Sequence, residues 1–393
     1  MSTAIRELST DELPSTYWLG RLAFGGPDEP GPQWLERVSR TRVFAVDDPT
    51  GSIAAVARVR DYHQLYGGRA VPMGGLAGVA VAPEARRRGL SRTLLTGLLP
   101  VLRAAGHAVS ALYPTVPEVY RRCGWEIAGA LRREVLQTAE LATLPADGSV
   151  ALRQAGAQEE SALLACYQRL AQQGSGLLSR AGTQFPPGEL LRASSIVLAE
   201  RGGAAVGYYS LDRPAESGPD SQLVGHDLIA DDAGTLRTLL RSIGAYAPLV
   251  PRIELVTAPG SALSLVCPAA LESPGHTNPW MLRMVDAAKA IRARGWPDGL
   301  AADVPLQLLD EDAPWNAGRW RLQLADGTGQ LLPDGREPPD RITLDQRGLA
   351  TLYTGFARCA ELRRAGLLSG PDRYDPLLDA AVAGPPPAMT DYF

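Results

Sequence analysis

Gly75-Leu-Ala-Gly-Val79-Ala-Val81-Ala-Pro83-Glu-Ala-Arg86-Arg87-Arg88-Gly89-Leu-Ser91-Arg92-Thr-Leu-Leu-Thr-Gly-Leu-Leu99 is the stretch on which the fold turns. Val79 and Val81 stand two apart, the spacing of a strand with one face buried, and Pro83 ends that strand. Leu90, Leu94, Leu95, Leu98 and Leu99 then recur at helical spacing. Between them Gly89 supplies a residue without Cβ, beside three arginines, where backbone N–H groups open a helix. Unpaired N–H groups and a partial positive charge make a helix start a natural phosphate site. Strand, basic turn and helix together predict a βα unit that holds a phosphorylated ligand.

Working outward, Val43–Val46 and Ile53–Val59 flank the turn Asp47-Asp-Pro-Thr-Gly51 and predict a hairpin. Ahead of it, Ser9 or Thr10 caps an opening helix, and apolar residues continue through Tyr17, Trp18, Leu22 and Phe24. Phe24 and Trp34 fit packing better than an acceptor pocket. Downstream, Ala108–Leu112 reads as a strand, and Pro114 and Pro117 force an extended approach to a short helix that presents Tyr120. Gly124-Trp125 ends that helix and enters another strand. Cys123, next to Gly124 and far from any histidine, reads as a small core residue rather than a nucleophile.

Arg86-x-x-Gly89-x-Ser91 resembles the pyrophosphate loop of the GCN5-related N-acetyltransferases, Gln/Arg-x-x-Gly-x-Gly/Ala, with a small serine in the last place. Tyr120-x-x-x-Gly124-Trp125 resembles that family's tyrosine segment. The resemblance implies acetyl-CoA as cosubstrate, held by Val79, Ala80, Val81, Arg86, Arg87, Arg88, Gly89, Ser91, Arg92 and Thr115. It also implies that Tyr120 protonates the departing thiolate. A tyrosine near ~10 and a thiol near ~8.5 make that transfer modestly uphill, and Arg121 or Arg122 is expected to lower the tyrosine.

Turn-rich Leu141–Gly148 marks a boundary, after which the pattern repeats in degraded form. Val197–Ser210 matches the first hairpin, and Val224–Arg241 matches the strand, turn and helix of the phosphate loop. The second copy has Asp231 and Asp232 where a diphosphate would lie, and like charges repel. It is expected to bind no CoA, to wall the acceptor cavity, and to close with a strand at Pro279–Val285. Asp286 then caps a helix over 287–294. Strands at Val304, Trp320 and Arg341 and helices over 346–355 and 357–365 resemble a sterol-carrier-protein fold. The ending Ala383-Gly-Pro-Pro-Pro-Ala-Met-Thr-Asp391-Tyr392-Phe393 combines a stiff polyproline lead with two anchoring aromatics.

Tandem acetyltransferase-like units, a sterol-carrier-like third unit and a terminal Phe resemble the enhanced-intracellular-survival (Eis) acetyltransferases. The implied fold is α/β, two GNAT domains at 1–147 and 148–286, the second degenerate, followed by an α+β domain at 287–393. The resemblance implies that the Phe393 carboxylate is the general base, that transfer is direct within a ternary complex, that a polyamine or aminoglycoside is the small-molecule acceptor, and that the chain assembles as a hexamer. A CoA-binding scaffold without catalysis, or a lipid carrier using the third unit, is the competing reading.

Composition bounds these readings. At 393 residues, with 45% hydrophobic and 21% charged residues, the chain is globular and long enough for two or three cores. Four scattered cysteines and four dispersed histidines give neither a disulfide framework nor a metal-ligand pair, so no metal is expected. A formal net charge of −4 argues against nucleic acid as a partner. No apolar run reaches the roughly 18 residues of a membrane span, no membrane partner is expected, and the first residues lack a signal-peptide layout, so a cytoplasmic location is expected.

Overall fold

The computed structural model describes residues 4–257, 261–271, 273–335 and 340–393. Their strands form one sheet of thirteen and a second of five. The expected hairpin pairs Arg42–Asp47 with Ile53–Tyr66, which turns at Gly67-Gly68 into Arg69–Val81. Both long strands extend well beyond the valines that announced them. Their inner halves are covered on both faces, so no alternation marks them.

Helix Leu90–Ala104 follows and sinks Leu94, Leu95, Leu98, Leu99 and Leu102 completely into the first core. Strand Val109–Leu112 then lies parallel to Arg69–Val81 but pairs with it only from Met73/Val109 to Gly75/Ala111. Past Gly75 the two strands diverge. One edge of Leu76–Val81 is thereby left without a strand neighbour, while its other edge pairs with Ile53–Tyr66.

The strand expected to close the second copy does something else. His276–Met284 inserts between Val109–Leu112 and Glu126–Gln137 of the first copy, and Glu126–Gln137 pairs with Arg252–Thr257 of the second. Each copy lends the other a strand, and the sheet runs unbroken through both. Apolar alternation fixes which face of a strand is buried but not its neighbour, so the exchange has no local signature. Trp280 and Met281 need cover on both faces and are fully buried by it.

In the second copy, Ser195–Arg201 and Ala204–Asp212 form the expected hairpin, and Gln222–Ala230 leads into helix Ala233–Gly244. The third unit carries the smaller sheet, including Thr328–Pro333 and Leu368–Ser369, edge strands too short to read from sequence. Asp286 caps helix Ala287–Ala293 by accepting from the Lys289 N–H, as expected. A buried pair, Arg283 with Asp310 at 2.6 Å, ties this unit to the large sheet.

Candidate active site

The basic turn has the expected form. After a short 3₁₀ turn at Pro83–Ala85, Arg87 adopts φ 64° and Gly89 φ 80°, and Gly89 caps Leu90–Ala104 without offering a side chain. The first helical N–H groups are left for an external acceptor. Arg87 in the left-handed region is local backbone strain held at this turn. A Cβ on Gly89 would meet nothing within 4 Å, so the space above these N–H groups is open. Arg86, Arg87 and Arg88 are exposed around it. Arg86 Nε also reaches the Val81 carbonyl at 3.4 Å, joining loop to strand.

Gly78, at φ 56°, makes a bulge in the strand: Val56 faces Ala80 but Arg58 faces Ala77, so one extra residue sits on the Arg69–Val81 side. The bulge lies where the parallel partner departs, so the Val79–Val81 backbone faces the widening gap between the strands. The glycine within a valine-rich run was the signal for it in the sequence. These features fit an extended arm ending in a diphosphate: a free strand edge leading to an uncapped, cationic helix start.

One of the sequence-derived contacts sits differently. Arg92 is engaged elsewhere, with Nη1 on the Arg122 carbonyl at 2.5 Å and Nη2 on Asp312 at 2.6 Å, so it braces the loop against the third unit. Its guanidinium is thereby committed to protein partners. Thr115 is exposed on the approach to the tyrosine helix, and Ser91 is half-buried at the start of its helix.

Helix Pro117–Arg121 presents Tyr120, which is buried among Leu90, Cys123, Trp125 and Met281. The Cys123 and Trp125 N–H groups both donate to the Tyr120 carbonyl, at 2.9 and 3.1 Å, and lock its backbone. Among the described residues its hydroxyl has no hydrogen-bond partner. The expected cationic assistance is absent: Arg121 pairs with Glu126 and Arg122 with Glu118. Burial instead pushes the Tyr120 hydroxyl up to about 12, with Cys123 adding to the rise. The Cys123 thiol is itself pushed up to about 11 by burial, the reverse of what an acetyl-accepting nucleophile needs.

The tail returns. Ala130 N–H donates to the Pro387 carbonyl (3.1 Å) and Ala388 N–H to the Ser175 carbonyl (2.8 Å), while the Tyr113 hydroxyl donates to the Met389 carbonyl. Asp391 accepts from Arg180 Nε at 3.0 Å, and the same buried guanidinium forks onto Asp227 at 2.7 and 2.8 Å. Phe393 ends against the point where the strands part. Its ring centroid is 4.9 Å from that of Tyr62 and 6.2 Å from that of Tyr113, and a Cβ on Gly75 would lie 2.8 Å from it. Its α-carboxylate makes no ion pair or hydrogen bond among the described residues. Arg180 and Asp391 had no signal in the sequence, since 211 positions separate them.

A cavity of about 700 Å³ opens beside Phe393, walled by both copies and the tail. Its side chains include Arg37, Arg40, Arg60, Tyr62, Arg133, Arg180, Phe185, Arg192 and, on the acidic side, Glu189, Asp212, Asp227 and Asp391. Phe24 is not part of the wall and is largely exposed; Trp34 packs edge-on against Tyr17 and faces the Arg58 guanidinium.

The acetyltransferase (GNAT) domain family matches residues 4–128, and the sterol carrier protein domain family matches residues 287–390. A GCN5-related N-acetyltransferase from Kribbella flavida superposes with a TM-score of 0.88 at 33% identity, covering 99% of this chain and 98% of that one. An N-acetyltransferase of Streptomyces avermitilis is 28% identical over 385 residues, 93% of each chain. The N-acetyltransferase Eis of Mycobacterium tuberculosis is 26% identical over 420 residues, the whole of both. The chain belongs to the GCN5-related N-acetyltransferases, enzymes that use acetyl-CoA. Its sterol-carrier-like ending and its full-length match align it with the N-acetyltransferase Eis as a homologue. Among the described residues no helix is long and apolar enough to cross a membrane, and no group of three or more His, Cys, Asp or Glu could hold a metal ion.

Proposed function

We propose that the chain acetylates an amine by direct transfer, with the Phe393 carboxylate as general base and Tyr120 as general acid. The observation that carries the reading is the tail: an unpaired α-carboxylate whose own ring packs on Gly75, where the strands part. An alkyl ammonium near ~10.4 must lose a proton before it attacks, and a carboxylate drawn out of water accepts it more readily than one in bulk. Acetyl-CoA supplies the activated thioester carbonyl. Arg86, Arg87, Arg88 and the N–H groups from Gly89 to Ser91 would hold its diphosphate, the free edge at Val79, Ala80 and Val81 its pantetheine arm, with Thr115 near the tyrosine helix. N–H groups at the Gly78 bulge would polarise the carbonyl. Tyr120 Oη holds the proton for the leaving sulfur and, with its proton retained up to about pH 12, is available across the working range. A high Cys123 thiol supports transfer without an acetyl-cysteine stage.

We retain the division at 1–147, 148–286 and 287–393, and a homo-oligomer, as part of this reading. The multi-amine acceptor finds no support in the cavity, whose wall has six arginines against four acidic side chains. Removing Phe393, or extending the chain beyond it, should lower turnover by roughly 10²- to 10⁴-fold with acetyl-CoA affinity retained. Tyr120→Phe should do the same, and the parent enzyme should show no alkaline fall in kcat below pH 10. A fully active tailed enzyme would remove the base, and an alkaline limb near pH 9 abolished by Tyr120→Phe would remove the high tyrosine.

A further inference from the structure

We infer that the acceptor is amphoteric: an amine that also carries an anionic oxygen group, carboxylate or phosphate, which Arg60 binds with support from Arg58. This deepens the proposed acetyl transfer and rests on it. The argument starts from which cavity charges are already used. Arg40 pairs with Glu36 at 2.5 Å, Arg133 with Glu254 at 2.8 Å, Arg180 with Asp227 at 2.7 Å and Arg192 with Glu189 at 3.0 Å. Asp391 shares Arg180, and Asp212 accepts from His226 at 2.8 Å. Every acidic side chain of the wall therefore has a partner, and among the described residues the Phe393 carboxylate is the negative group left for an ammonium.

On the positive side Arg60 is left over. Among the described residues its side chain makes one hydrogen bond, a long one of 3.4 Å to the Tyr62 hydroxyl, and its Nε is buried without a partner. Arg58, two residues along the same strand and so on the same face, also has a buried, unpartnered Nε. Among the described residues no carboxylate pairs with it, and its guanidinium lies 3.2 Å from where a Gly78 Cβ would be, beside the bulge. Burial and the charges of Arg60 and Arg37 bring Arg58 down to about 10, so it remains protonated and the group remains cationic at neutral pH. Partly desolvated like charges without a counterion lower stability. An anion bound among them reverses that cost, and a polycation placed there would add to it. The Phe393 carboxylate and Arg60 on one wall, with Arg58 behind Arg60 on the same strand face, match a ligand with one amine and one anion.

The test is kcat/KM by thiol release for paired acceptors: aminoalkyl carboxylates, aminoalkyl phosphates, the same amines lacking the anion, and spermidine. The expected result is at least a tenfold preference for one anion-bearing series, which also tells carboxylate from phosphate. Arg60→Gln should lower that preference about tenfold, mainly through KM, and Arg60→Lys should recover part of it. Melting temperatures of Arg60→Gln and Arg58→Gln should be unchanged or higher, because repulsion is relieved; a clear fall would assign these arginines a structural role and overturn the inference. So would equal or better turnover of spermidine, or a preference that ignores Arg60→Gln. Acetyl-CoA binding with no amine of any series acetylated would instead bring down the transfer reading on which this one stands.

Discussion

The two halves of the large sheet contain the same device in opposite states. In the first copy a parallel pair holds over Met73–Gly75 and Val109–Ala111 and then parts; in the second it holds over Gln222–Gly225 and Arg252–Leu255 and then parts. A helix begins beside each gap. In the first, Gly89 caps it with no side chain and three arginines surround its N–H groups. In the second, Asp232 accepts from the Thr235 N–H at 2.9 Å and pairs with Arg201, while Asp231 pairs with Arg169. Its helix start is already occupied by the chain's own carboxylate, held well below the usual carboxylate range by Arg201 and that N–H. One capping residue thus decides whether a βα turn offers its donors outward or uses them itself.

The second copy has a different task. Arg180, itself anchored on Asp227, holds Asp391, two residues before the terminal carboxylate. Its own gap is partly filled by the tail as well, since Pro385, Pro386 and Ala388 line the 340 Å³ cavity beside Leu228–Ala230. In the degenerate copy the helix start is closed to an outside anion, and Arg180 clamps the tail instead.

Three experiments would break or sharpen this contrast. The largest effect is expected from Arg180→Met, which leaves two buried carboxylates without their partner. Such a loss costs about 3–5 kcal/mol, and with the tail released turnover should fall although no residue of the first copy has changed. Denaturant melts and initial rates check both; normal stability with normal turnover would separate the clamp from catalysis. Next, Gly89→Asp writes the second copy's solution into the first. A carboxylate at the diphosphate position and a left-handed non-glycine residue should weaken acetyl-CoA binding by about 10- to 100-fold, measured by calorimetry. Unaltered affinity would mean that the loop does not hold the diphosphate. The smallest effect belongs to Asp232→Ala, which removes a cap worth about 1 kcal/mol and should lower stability without touching acetyl-CoA affinity. A second equivalent of bound acetyl-CoA in that variant would show the aspartate to be the sole barrier.

The arginine turn, its leucine helix, the hairpins and the tyrosine helix were legible because each is encoded within a dozen or so residues. Gly89, Pro117 and Gly124 mark their ends by backbone chemistry alone. The degenerate loop was equally legible, since Asp232 is both a capping residue and the wrong charge for phosphate. The tyrosine's acidity was misjudged from Arg121 and Arg122, which spend their charge on Glu126 and Glu118. Sequence neighbours were visible there; burial, the stronger effect, was not.

By itself the sequence determined the phosphate loop, the tyrosine and the aromatic end, because propensity, capping and charge act over short spans of chain. Only the tertiary structure decided that His276–Met284 completes the first copy's sheet, that Arg180 grips Asp391, and that Arg58 and Arg60 stand together with no counterion among the described residues. Those outcomes depend on which distant segments pack against one another. Burial and pairing across hundreds of positions are set by the whole fold rather than by any local run of residues.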